Sequence, residues 1–150
     1  DDDSDTGHRR NGSYLLEDQA GGERNPDGWV FAVWTDSGIG LAWGQMKVKQ
    51  EVWTHIAGTY DGKMLSLYIN GKLDVSIKKD GKIANPGDPL GLGKYGGETY
   101  IGGIDEVFLY DRALSAGELK ELLKGFESAF AVDPSYRLTT RWATLKTRNQ

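Results

Sequence analysis

Bulky apolar residues alternate with small or polar ones through much of the chain, and glycine-containing turns punctuate the alternation. Trp29 to Thr35 reads as a strand with apolar residues on both faces. Asp36-Ser37-Gly38 turns the chain into a second strand. There Ile39, Leu41 and Trp43 form a bulky face, and Gly40, Ala42 and Gly44 a flat one. The middle is the most regular part. Val52 to Tyr60 is a strand and Asp61-Gly62 turns it. Leu65, Leu67 and Ile69 line one side of the next strand, Asn70-Gly71 turns again, and Leu73, Val75 and Ile77 alternate with Asp74 and Ser76. Asp-Gly and Asn-Gly suit type I′ turns, which need positive φ at both central residues. Residues 52 to 77 are therefore expected to form a three-stranded antiparallel meander with one apolar face. Asp80-Gly81 is a candidate for one more short hairpin.

Pro86 to Gly103 reads as a Gly-rich loop and Ile104 to Tyr110 as a strand. Ser115, with Glu118 three residues later, is a capping box ahead of Leu119, Leu122 and Leu123 at helical spacing, and Gly125 is the expected stop. Residues 1 to 28 read as a weakly ordered lead-in around a short strand at Tyr14 to Leu16. Tyr136 to Thr144 reads as a tail strand with Leu138, Thr140 and Trp142 on one face. Many short antiparallel strands with one small helix predict an all-β sandwich or barrel.

Composition narrows the class. A chain of 150 residues, 38% hydrophobic and 27% charged, suits one globular domain. Its 21 glycines are about twice the usual share, as a fold with many tight turns requires. No apolar run approaches the ~18 residues of a membrane span, so no membrane insertion is expected. A net charge of −4 argues against a general nucleic-acid binder, which needs a basic face. Asp1, Asp2, Asp3 and Asp5 at the start, and Arg137, Arg141, Lys146 and Arg148 at the end, read as solvated termini. The absence of cysteine excludes a disulfide scaffold, a thiolate zinc site and a Cys nucleophile. There is no initiator Met and no basic-then-apolar leader, so the chain reads as a mature form or a fragment.

Two segments carry a resemblance. Trp53-Thr54-His55-Ile56-Ala57-Gly58-Thr59-Tyr60-Asp61-Gly62, followed by Leu67-Tyr68-Ile69-Asn70-Gly71-Lys72, resembles the middle of a laminin-G-like domain. Gly103-Ile104-Asp105-Glu106-Val107-Phe108-Leu109-Tyr110-Asp111-Arg112-Ala113-Leu114-Ser115 resembles the same family's G-x-I-D-E-V segment. The resemblance implies an all-β, antiparallel jelly-roll sandwich of concanavalin A-like type, with one short helix near the C-terminus. The family's opening strands, with a pattern like F-T-x-E-x-W, are not found. The domain over residues 29 to 150 is therefore expected to be N-terminally incomplete, with an open sheet edge available for self-association. The tail resembles sequences that follow such domains in large bacterial surface proteins. This implies an extracellular or cell-surface module of a longer polypeptide.

The same superfamily includes glycoside hydrolases, and the retaining type needs two carboxylates roughly 5 Å apart. The laminarinase-like E-x-D-x-x-E pattern is absent. Asp105 and Glu106 are adjacent, so on a strand they would point to opposite faces. Neither His8 nor His55 has a nucleophile motif beside it, and His55 is expected to pack next to Trp53. The acidic start lacks the spacing of an EF-hand loop. An enzyme is not expected. The resemblance implies calcium as the candidate cofactor, bound at the sandwich rim by Asp88 and Glu98. Trp34, Tyr95 and Tyr100 lie near Gly-rich turns and are the candidate ligand-binding aromatics, with Glu98 beside them, because sugar rings stack on exposed aromatic faces. Trp29, Trp43 and Trp53 are expected in the core. The expected function is a non-catalytic carbohydrate- or glycoconjugate-binding module of an exported protein, with a glycan or glycoprotein as partner. The alternatives are a protein-adhesion or structural domain of the same fold, and a glycoside hydrolase fragment.

Overall fold

The computed structural model describes residues 13–18, 28–84, 87, 90–95 and 98–130; at 94, 95, 98 and 126–130 it describes the backbone only. Two antiparallel three-stranded sheets form the body. The first has the order β1 (Tyr14–Asp18), β2 (Gly28–Thr35), β3 (Gly38–Lys47). The second has the order β4 (Ile56–Tyr60), β5 (Met64–Ile69), β6 (Lys72–Lys78). Two-residue strands β7 (Lys94–Tyr95) and β8 (Glu98–Thr99) pair in the following loop, and helix α1 (Ala116–Phe130) comes last.

The sheets face each other through Trp29, Phe31, Val33 and Ala42 on one side and Leu65, Leu67 and Ile69 on the other. The expected apolar side of β5 is thus the core. Burying side chains of this size stabilises by about 1.5–3 kcal/mol each. The flat face of β3 turns inward: Gly40, Ala42 and Gly44 are buried, whereas Leu41 and Trp43 are half-buried on the opposite face. Small residues are needed there because the sheets approach closely. A Cβ on Gly44 would lie 3.0 Å from Leu67 Cδ2 and 2.8 Å from Asp74 Oδ2.

Turn chemistry sets the meander. Asn70 and Gly71 have φ of 50° and 70°, as a type I′ turn demands, and Ile69 pairs with Lys72 across it. At the preceding turn, Asp61 Oδ1 accepts from the backbone N–H of Lys63 at 2.9 Å and Met64 at 2.7 Å. Those two bonds hold the Asp61 carboxyl below its ordinary pKa. The β5–β6 ladder shifts register between Leu67 and Tyr68. Leu67 pairs with Val75, but Tyr68 pairs with Leu73, leaving Asp74 as the extra residue. The bulge turns Leu73 out to solvent, against the simple alternation, and aims the Asp74 carboxylate at β3, where it accepts from Gln45 N at 2.6 Å.

Several elements differ from the sequence expectation. The strand expected from Val52 begins only at Ile56, because His55 is held by the turn: its carbonyl accepts from Asn70 N at 2.8 Å and its N–H donates to Asn70 Oδ1 at 3.1 Å. Asp80-Gly81 closes no hairpin. It crosses to the Thr35–Ser37 turn, where the Asp80 carbonyl accepts from Ser37 Oγ, the Gly81 carbonyl accepts from Tyr60 Oη at 2.6 Å, and Thr35 bridges to Ile83. Residues 104–110 join no ladder among the described residues, and Glu106 at φ 55° breaks the extended path. The helix is capped as expected, with Glu118 N donating to Ser115 Oγ and Ser115 N donating to Glu118 Oε2. Arg112 pairs with the same carboxylate, and together these contacts lower the Glu118 pKa to about 2. The helix then runs through Gly125, which has no positive φ, to Phe130. Leu119 is buried, and Leu123 sits over Gly71. The tail strand at Tyr136–Thr144 lies outside the described residues.

Candidate functional site

The residues proposed from sequence separate in space. Trp34 was expected to be exposed beside a Gly-rich turn, and this is corrected: it is 8% exposed. Its strand β2 is the middle strand of its sheet, with β1 on one side and β3 on the other. Its main chain is taken from both directions, by Trp34 N donating to the Ser13 carbonyl and Ala84 N donating to the Trp34 carbonyl. Val30 and Ala32, two and four residues before it on the same face, have no exposure at all. A sugar ring has no access to Trp34 in this arrangement.

Tyr95 and Glu98 pair directly in the β7–β8 ladder, which brings both backbones to the rim loop. Their side chains, and Asp88 altogether, lie outside the described residues. Tyr100 is at the surface, 43% exposed, and its N–H donates to the Gly93 carbonyl at 2.9 Å, closing that loop.

Trp53 is the residue that sequence reasoning misplaced. Expected in the core, it is 74% exposed. It precedes β4, so no sheet carries it inward. Its ring lies instead on the main chain of Gly103: a Cβ there would be 2.7 Å from Trp53 Cη2. The ring of Tyr100 lies equally close to Gly102, where a Cβ would meet the Tyr100 Cε1, Cζ and Oη atoms at 2.8 Å. Two aromatic rings are therefore seated on consecutive glycines, whose Cα atoms are ~3.8 Å apart. Ile101 between them is 96% exposed. The Gly102-Gly103 pair was the available signal, since adjacent residues without Cβ permit close approach of flat rings.

Asn70 fixes the stem of this platform. Asn70→Gly keeps the permitted positive φ but loses the bond to His55 N, and Asn70→Ala loses both. We expect chemical denaturation to rank them wild type, then Gly, then Ala, with Ala costing about 1–2 kcal/mol. His55, half-buried at the same stem, has its pKa lowered by desolvation. Between that lowered value and 6.5 the unfolded chain binds a proton the folded chain refuses, so stability rises with pH across the window. Melting temperature should climb from about pH 5 to about pH 7 and climb less in His55→Gln.

Among the described residues, no three His, Cys, Asp or Glu side chains come together in a way that could hold a metal ion. No helix among them is long and apolar enough to cross a membrane.

Two facing antiparallel sheets, a glycine-flattened inner strand and an aromatic rim loop define a β-sandwich of the lectin type. Residues 3–120 match a laminin G family model described as the concanavalin A-like lectin/glucanases superfamily, and the chain belongs to that superfamily. No curated protein matches it. Among solved structures it is similar to an S-layer domain-containing protein from Clostridium thermocellum ATCC 27405, at 23% identity and a TM-score of 0.46, over 73% of this chain and 61% of that one. The chain thus spans less than two thirds of that protein's solved length.

Proposed function

We propose that this domain is a non-catalytic carbohydrate- or glycoconjugate-binding module of an exported, surface-associated protein, and that Trp53 and Tyr100 form its sugar seat. The observation that carries the reading is the pair of exposed rings laid on Gly102 and Gly103. Apolar C–H faces of a pyranose stack on such rings, and the diglycine backbone keeps the rings flat and their outer faces open. The non-catalytic part of the proposal draws support from Asp105 and Glu106. Both are exposed and adjacent, and Asp105 Oδ1 accepts from Glu106 N, so this pair does not frame a cleft.

Calcium enters the proposal through Asp88 and Glu98 alone. A rise in melting temperature on adding calcium, abolished by Glu98→Gln, would assign them the ion.

The test is a glycan array followed by titration with the best-bound sugar. Trp53→Ala is expected to weaken binding by about tenfold or more, with the melting temperature nearly unchanged because the ring is mostly exposed. Tyr100→Ala should weaken it less. Wild-type affinity surviving Trp53→Ala would move the sugar seat elsewhere, and turnover of a β-glucan by the wild type would overturn the non-catalytic reading. The adhesion alternative draws on a different surface, the apolar strip at 104–110.

A further inference from the structure

Ile101, Ile104, Val107, Phe108, Leu109 and Tyr110 form the most apolar exposed stretch in the described chain. The last five are between 47% and 60% exposed, and Ile101 is 96% exposed. β-branched and aromatic residues of this kind favour strands, and a run of them left in water is a ready template for pairing. The backbone itself is held short of a strand: Glu106 takes φ 55°, a conformation costing a non-glycine residue roughly 1–2 kcal/mol. Pairing with another strand would restore Glu106 to extended geometry and bury the strip.

We propose that residues 104–110 form an antiparallel intermolecular strand pair with the same residues of a second copy, on a two-fold axis through Val107. An antiparallel pair of identical strands is self-complementary and closes as a dimer, so the strip needs no second surface. Charge selects the register. An axis through Val107 places Ile104 opposite Tyr110 and Asp105 opposite Leu109, and keeps all seven residues paired. An axis through Glu106 sets that carboxylate opposite its own copy. An axis through Phe108 sets Asp105 opposite Asp111. Like charges directly opposed are destabilising, so both flanking registers are disfavoured. The area suffices. Six large side chains losing roughly 100 Å² each, in two copies, remove about 1,200 Å² from water, the lower bound for a specific interface. Arg112, next in sequence, is already engaged by Glu118 and does not compete for the acids of the strip.

The experiment uses the full chain, which has no cysteine of its own. Analytical ultracentrifugation is expected to show a concentration-dependent dimer, and Leu109→Lys to weaken it by about tenfold or more with the glycan affinity per site unchanged. Val107→Cys should form a disulfide-linked dimer on mild oxidation, because residues directly opposite have Cβ atoms ~5 Å apart. Asp105→Cys should form it at least about tenfold more slowly, because the two copies of residue 105 lie four positions apart along the pair, ~13 Å. A monomer at every concentration overturns the proposal, whether the strip is then covered by the chain's own C-terminal residues or by another partner. So does a dimer indifferent to Leu109→Lys, or equal cross-linking at 105 and 107. Loss of glycan binding in Trp53→Ala bears only on the sugar seat, since Trp53 lies outside the strip.

Discussion

Trp34→Ala is expected to destabilise the domain by about 3–5 kcal/mol, the usual cost of truncating a buried tryptophan to alanine. The side chain is 8% exposed, and its face of β2 carries Val30 and Ala32 at zero exposure, so the deletion leaves a cavity instead of a wetted surface. The surroundings have little freedom to collapse into it. β2 is laddered on both sides, by the Tyr14–Val33 to Asp18–Trp29 register with β1 and by the Val30–Trp43 to Thr35–Gly38 register with β3. Urea denaturation should show a lower midpoint with an unchanged slope. At temperatures where the variant stays folded, its glycan affinity should match the wild type. The contrast with Trp53→Ala is the informative part. One tryptophan should cost stability and spare binding; the other should cost binding and spare stability. A Trp34→Ala protein as stable as the wild type would contradict the buried placement of β2.

That contrast also shows where the sequence was legible. Alternation and turn chemistry located the meander, because period-two patterning and Asn-Gly turns are local properties that tertiary packing had no reason to override. Leu65, Leu67 and Ile69 could be assigned to one face from spacing alone. The capping box at Ser115 and Glu118 was likewise local, and it forms as read. Which face of a two-faced strand meets the core is a different question. β3 offered a bulky face and a flat face, and the flat one is inside, because the partner sheet supplies the bulk and the spacing between sheets leaves no room for more. Hydrophobicity by residue gives no hint of that choice.

The candidate site was less legible for a related reason. Exposure of an aromatic was inferred from its distance to a glycine-rich turn, yet it is set by whether a ladder carries the residue. Trp34 is one residue from the end of a central strand and is buried; Trp53 is three residues before an observed strand and is exposed. The family-like motif around Trp53 suggested a strand starting at Val52, but the Asn70 side chain takes the His55 N–H and ends the regular pairing there. Only the Gly102-Gly103 pair pointed to the platform from sequence. Its meaning depends on a contact between residues fifty positions apart, which no local pattern encodes.

Gly58→Ala should cost about 1–3 kcal/mol, and the loss should be recoverable through its partner. Gly58 lies in β4 opposite Leu67, with no unusual φ, so backbone strain is not the issue. Space is: a Cβ at this position would come within 2.5–2.6 Å of three atoms of the Phe31 ring, Cγ, Cδ1 and Cδ2. The ring of a core residue from one sheet lies flat on the bare backbone of the other, and it is held by Trp29, Val33, Leu65 and Leu67 around it. A single methyl therefore forces either an off-rotamer Phe31 or a separation of the sheets. Phe31→Leu alone opens a cavity and should cost about 1–2 kcal/mol. In the double variant the leucine no longer covers the added methyl, and the combined cost should fall below the sum by about 0.5–3 kcal/mol, the range for residues in direct contact. Strict additivity in that cycle would mean that Phe31 does not rest on Gly58, and the sheets would then owe their separation to Gly40 and Gly44 alone.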